Sequence, residues 1–302
     1  MLTSLRRRTW LPRVALASLL GVGSALAGQG FYLATASAAL PITKKKSAEA
    51  DAKSAANPFG AATGNPAAGS RDKKDAPPPK PFKFEGPLAP LQLALRAGRY
   101  SELAAQGRTL AAKEKDKLVR EQAEELVAEA LIRTGQLREA EQQLAAAVAR
   151  DDKALGTRAQ LATVYKLRGD RDRERPLWQR TIDEYEANIL DDKNPRSLRY
   201  LALACRNLAR FKDANETLRD AAALAKEKKL DEEYVKAHLD WAELFLEKYS
   251  PASAEESVVA ALAVDPENPE ARVLAAQVAI ERGNRVAEAE EHLEKVLKAN
   301  PR

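Results

Sequence analysis

The chain has 302 residues, of which 45% are hydrophobic, 31% charged and only 5% aromatic. Its C-terminal two-thirds is crowded with Ala, Leu, Glu, Arg and Lys, a helix-forming composition that speaks against a β-rich fold. Residues 1–83 hold 13 Lys/Arg against 4 Asp/Glu, net +9, which leaves about −4 for residues 84–302 out of the whole chain's +5 and argues against a basic nucleic-acid-binding face there.

Arg6, Arg7, Arg8 and Arg13 precede an uncharged run from Val14 to Thr43, whose most apolar part is Val14–Ala27. Such a run reads as a signal peptide, with small residues at Ala25 and Ala27 for cleavage before Gly28, or as an uncleaved membrane anchor. A cytosolic protein with an apolar N-terminal helix is the third reading. In the first two, the arginines stay on the cytoplasmic side and the rest of the chain lies outside the cytoplasm. Residues 1–40 are therefore expected to be a signal or anchor, and the protein to be periplasmic or otherwise extracytoplasmic. Arg7-Arg8 resembles a twin-arginine export signal, whereas Gln29 stands where a lipidated cysteine would have to be.

Residues 41–86 are rich in Lys, Ala, Pro, Gly and Ser, as in Asn57-Pro58 and Pro77-Pro78-Pro79. They have too little apolar surface to offset the entropy of ordering and are expected to be a disordered spacer, with a reach of ~35 Å for about 40 residues. Their lysines suit a solvated linker or contact with anionic headgroups.

From Pro87 a helix–turn–helix pattern recurs. The clearest unit is Leu126-Val127-Ala128 with Leu131, then Gly135, then Ala140, Leu144 and Ala147. Apolar residues three and four apart mark both helices, and the glycine breaks them. The order returns around Gly169, Ala209, Tyr249 and Gly283, and a partial first unit turns at Gly98. The spacing of 34 to 40 residues, with Ala140 and Ala147 matched by Ala214 and Ala221, resembles the tetratricopeptide repeat. That resemblance implies an all-α, right-handed superhelical solenoid of about six helix pairs over residues 87–302. Three departures stand out. The first unit lacks a full first helix, Glu174 replaces the usual alanine of the second helix, and one residue is inserted after Gly283.

Chemistry is scarce. One cysteine, Cys205, excludes an intramolecular disulfide and a cysteine zinc site, and it stands at an inward position where a buried thiol is expected. His238 and His292 belong to no metal-ligand spacing, and no phosphate loop or nucleophile motif occurs. No catalytic residue, metal or cofactor is expected. Asp151-Asp152 and Asp191-Asp192, near unit junctions, read as solvated or capping acids. The resemblance implies binding of other proteins or peptides on a concave face lined by the first helix of each unit. Counting from the turns puts Lys166, Arg196, Arg199, Arg206 and Asn207 in the middle of that face, a basic set suited to an acidic peptide or C-terminal carboxylate. The functional expectation is a non-catalytic extracytoplasmic scaffold or adaptor. The alternatives are the repeat arm of a larger envelope enzyme such as a peptidase, and a peptidoglycan- or lipid-binding module. The chain closes on Asn300-Pro301-Arg302 without a polar capping helix, which suggests a longer repeat protein or an end that docks on a partner.

Overall fold

The computed structural model describes residues 82–301, so the expected signal or anchor and residues 41–81 of the expected spacer lie outside the described residues. The described part is twelve α-helices in six antiparallel pairs, without a strand. The pairs are α1 (Ala89–Arg96) with α2 (Tyr100–Lys113), α3 (Lys117–Arg133) with α4 (Leu137–Arg150), and α5 (Leu155–Leu167) with α6 (Arg171–Glu186). They continue with α7 (Pro195–Asn207) and α8 (Phe211–Glu227), α9 (Asp231–Glu247) and α10 (Pro251–Val264), and α11 (Pro269–Gly283) and α12 (Val286–Ala299). As expected, the first helix of the first pair is short, at 8 residues.

Local chemistry sets these boundaries. Asp116, Asp170, Asn194 and Asn268 each accept a backbone N–H of the following first turn, and Pro195, Pro251 and Pro269 occupy first helical positions. Within each pair the chain reverses through one residue of left-handed backbone, at Gly98, Gly135, Gly169, Ala209, Tyr249 and Asn284. Five of these are the positions anticipated from sequence. In each of the five, the next N–H donates to the carbonyl five residues back, as from Gln136 to Leu131 and from Arg210 to Cys205. At the sixth turn Arg285 N reaches six residues back to Ala279, so the inserted residue moves the left-handed position from Gly283 to Asn284. Asp151 and Asp191 accept from the backbone of Lys153 and Lys193, as capping acids do.

Packing follows the repeat. Ala128, Ala140 and Ala202 are fully buried and let paired helices approach closely, while Trp178 fills the space toward the next pair. Glu174 is buried and accepts from Trp178 Nε1 at 3.2 Å, so the acid at the alanine position is occupied by its own neighbour. Three apolar clusters run along the stack, spanning pairs one to three, three to five, and five to six. Successive first helices touch one another (α1 with α3, α3 with α5, α5 with α7, α7 with α9, α9 with α11), which places them on the inner side of the curve.

Two aromatic residues extend this frame before Pro87. Phe82 and Phe84 meet edge to face at 5.2 Å, and the Arg96 guanidinium lies over their rings at 5.8 and 4.7 Å. Both lie in the last residues of the expected 41–86 spacer.

Candidate protein-binding face

The inner helices carry charges at positions where neighbours of the stack meet. From α3 come Glu121 and Glu125, one helical turn apart; from α7 come Arg196, Arg199 and Tyr200; from α9 come Glu233 and Asp240. Arg196 pairs with Glu125, and Tyr200 donates its hydroxyl to the other Glu125 oxygen at 2.6 Å. Glu125 reaches α7 past α5 because Gly156 has no side chain; a Cβ there would collide with the Glu125 carboxylate. The Gly156 N–H donates to Glu121 at 2.6 Å. Arg199 donates to Asp240 at 3.0 Å and lies 4.7 Å over the Tyr200 ring. Arg199 Nε and Glu233 Oε2 stand 3.7 Å apart.

Burial governs the electrostatics of this cluster. It pushes the Glu121 carboxyl up to about 7, helped by the like charge of Glu125 and opposed by Arg196. Burial also raises Asp240 to about 6 against the pull of Arg199. The guanidinium of Arg199 is held above its ordinary value, because Tyr200, Asp240 and Glu233 outweigh the burial that lowers it. Arg199 and Asp240 therefore meet as an ion pair at neutral pH.

All five sequence-derived residues stand on inner helices, but in two environments. Arg196 and Arg199 are held by the chain's own carboxylates. Lys166 donates to Asn207 at 2.7 Å on the exposed edge where the inner helices end. Arg206, one residue before Asn207, bridges Glu243 at 2.8 Å and Glu247 at 2.7 Å. Sequence counting put these cations on the inner face, with Glu125 and Glu243 among its positions, but did not pair them. The signal for the pairing is a 41-residue offset, shared by Lys166 and Asn207, Arg199 and Asp240, and Arg206 and Glu247. It is one more than the 40-residue turn spacing, so each cation meets the next inner helix one position on.

The stack also closes on itself. Gln92 of α1 donates to Glu232 at the start of α9 at 2.8 Å, and Arg96 pairs with Asp265 ahead of α11. Arg133, at the end of α3, pairs with Glu270 in the first turn of α11. Asn300 donates to the Tyr100 hydroxyl at 3.2 Å. Asp265 is only 1% exposed, so this clasp is partly a packed contact. Among the described residues no group of three or more His, Cys, Asp or Glu side chains is arranged to hold a metal ion.

Residues 245–302 match the tetratricopeptide repeat model. That segment carries the repeat, and the four helix pairs before it have the same helix–turn–helix form. No curated protein matches the sequence. Among solved structures, a thermophilic tetratricopeptide-repeat protein of Thermus thermophilus is 19% identical and covers 60% of this chain and 92% of its own, with a TM-score of 0.46. A putative kinesin light chain of Podosopora anserina with nearly identical repeats is 21% identical over 60% of this chain and 94% of its own, with a TM-score of 0.41. PilF of Pseudomonas aeruginosa is 16% identical over 59% and 76%, with a TM-score of 0.40.

Proposed function

We propose that this chain is a non-catalytic scaffold that binds other proteins and works outside the cytoplasm. The observation that carries the reading is the stack of six tetratricopeptide-type helix pairs, a fold whose extended surfaces serve association. The extracytoplasmic part rests on Arg6 to Arg13 followed by the apolar run Val14–Ala27. The contact edge for an acidic segment is Lys166, Arg206 and Asn207, because these side chains sit where the inner helices open to solvent. Arg196 and Arg199 stand earlier on α7 and are already paired with Glu125 and Asp240. An acidic peptide competes there with Glu243 and Glu247 for the planar donor fork of Arg206.

In-cell crosslinking and affinity capture with the full chain, beside a Lys166→Glu/Arg206→Glu variant, tests the reading. Capture of one protein by the native chain and its loss with the variant supports scaffold and edge together. Equal capture by both removes the edge, and capture by neither removes the scaffold. Cell fractionation with N-terminal sequencing tests the location; recovery of the chain in the cytoplasm contradicts it.

A further inference from the structure

We infer that the buried charges of α3, α7 and α9 form a proton-controlled latch on the inner face, which draws these helices together in mild acid and lets them part as pH rises. The latch lies within the stack, where each of the three helices has an inner helix on either side. It stands or falls without the edge at Lys166.

The geometry sets an imbalance of charge. Glu121, Glu125, Glu233 and Asp240 face two guanidiniums, those of Arg196 and Arg199, and all six side chains are only 9% to 17% exposed. With every carboxylate ionised, two negative charges have no counterpart within the cluster, and burial leaves little water to screen them. Two protons remove the excess. Neighbouring elements decide where those protons sit. Glu121 meets Glu125 on its own helix, Asp151 ahead of α5, the Gly156 N–H of α5 and Arg196 of α7. Asp240 meets Glu243 on its own helix, and Arg199 and Arg206 of α7. In both, burial and like charge outweigh the cations, so Glu121 titrates near 7 and Asp240 near 6.

Parting the helices reverses this. Water reaches the carboxylates, both return toward their ordinary values of 4.5 and 3.8, and the chain releases up to two protons. The protons that favour the closed arrangement are therefore fully in place below those ordinary values. They are lost as pH rises through about 6 and about 7. The closed arrangement also carries a standing cost, which keeps opening within reach. Arg196 Nη1, Arg199 Nε and Glu233 Oε2 are buried without a hydrogen-bond partner among the described residues, and entering water supplies one. Across α5, Glu125 reaches α7 only through the gap at Gly156, where it meets Arg196 and Tyr200.

The test is double electron–electron resonance on the full chain, with spin labels on Lys117→Cys at the start of α3 and Asp192→Cys in the turn before α7, both exposed positions. The distance should be narrow at about pH 5 and should lengthen and broaden at about pH 8.5. Glu121→Gln with Asp240→Asn fixes the neutral forms. It should keep the acid distance at the higher pH, by removing roughly a 100-fold shift toward the open form. Each amide substitution alone should remove part of the response. Glu256→Gln, on the exposed side of α10, should leave it unchanged. Helicity by circular dichroism should stay constant over the range. A distance independent of pH overturns the latch, as does a response that the double amide variant retains. Loss of helicity over the same range overturns it as well, since the chain would then be unfolding rather than parting at the inner face.

Discussion

Removing Arg96 should loosen a helix 169 residues away in sequence. Arg96 pairs with Asp265, which is almost fully buried and keeps one further donor, Asn268 Nδ2 at 3.1 Å. Its Oδ1 has no hydrogen-bond partner. Taking one partner from a buried ion pair costs about 3–5 kcal/mol when nothing replaces it. The Asn268 donor and the partial exposure of Arg96 reduce this, so Arg96→Ala should cost about 2 kcal/mol, or roughly a 30-fold rise in local opening. Loss of the contact with Phe82 and Phe84 adds about 0.5–1 kcal/mol at the N-terminal end. Amide hydrogen exchange locates the effect: protection should fall both in α1 and in Ala271–Ala279 of α11, while α5 and α6 change least. A solenoid in which each pair feels only its neighbours predicts changes confined to the first two pairs. That outcome would refute the clasp.

Three further expectations rest on individual residues. Glu121 titrates near 7 folded and near 4.5 unfolded, so the folded chain holds the extra proton between those values. Its contribution to stability is thus fully present below pH 4.5 and lost as pH rises through 7, by up to about 3 kcal/mol. Glu121→Gln, which keeps an acceptor for Gly156 N–H, should be more stable than wild type in urea at about pH 8 and no better at about pH 4.5. Ala209 and Tyr249 adopt left-handed backbone without being glycine, and Tyr249 is 92% exposed. Ala209→Gly and Tyr249→Gly should each raise stability by about 1 kcal/mol, read from thermal midpoints; a loss would mean that these side chains pack. Cys205 is buried, which pushes its thiol up to about 12, so it should react with a thiol reagent only at the rate of global unfolding.

The helix pairs and their turns were readable from sequence because their causes are local. Periodicity places the apolar stripe, and a residue able to take left-handed backbone places the turn, so five of six turn positions followed from spacing. The sixth moved by one residue because the Gly283–Asn284 insertion sits inside the turn itself. The cations of the inner face were readable for the same reason: Arg196, Arg199 and Arg206 keep one helical face. Their carboxylate partners depend on how the next inner helix is shifted, a property of the packed stack. The Glu125 contact with Arg196 and Tyr200 skips a helix altogether and needs the gap at Gly156. The clasp lay further still from any sequence signal, since Arg96 and Asp265 meet only after five pairs have accumulated their curvature.

Closure of the stack is the contact that spans the most sequence, and one distance measures it. Spin labels on introduced cysteines at Arg99 and Ala299, both exposed and adjacent to the Tyr100 and Asn300 side chains that meet at 3.2 Å, report the gap between the first and last pairs. The buried Cys205 leaves the labelling specific. Double electron–electron resonance should give a single short, narrow distance, and Arg96→Ala should broaden it toward longer values. A broad or long distribution in the unaltered chain would contradict closure.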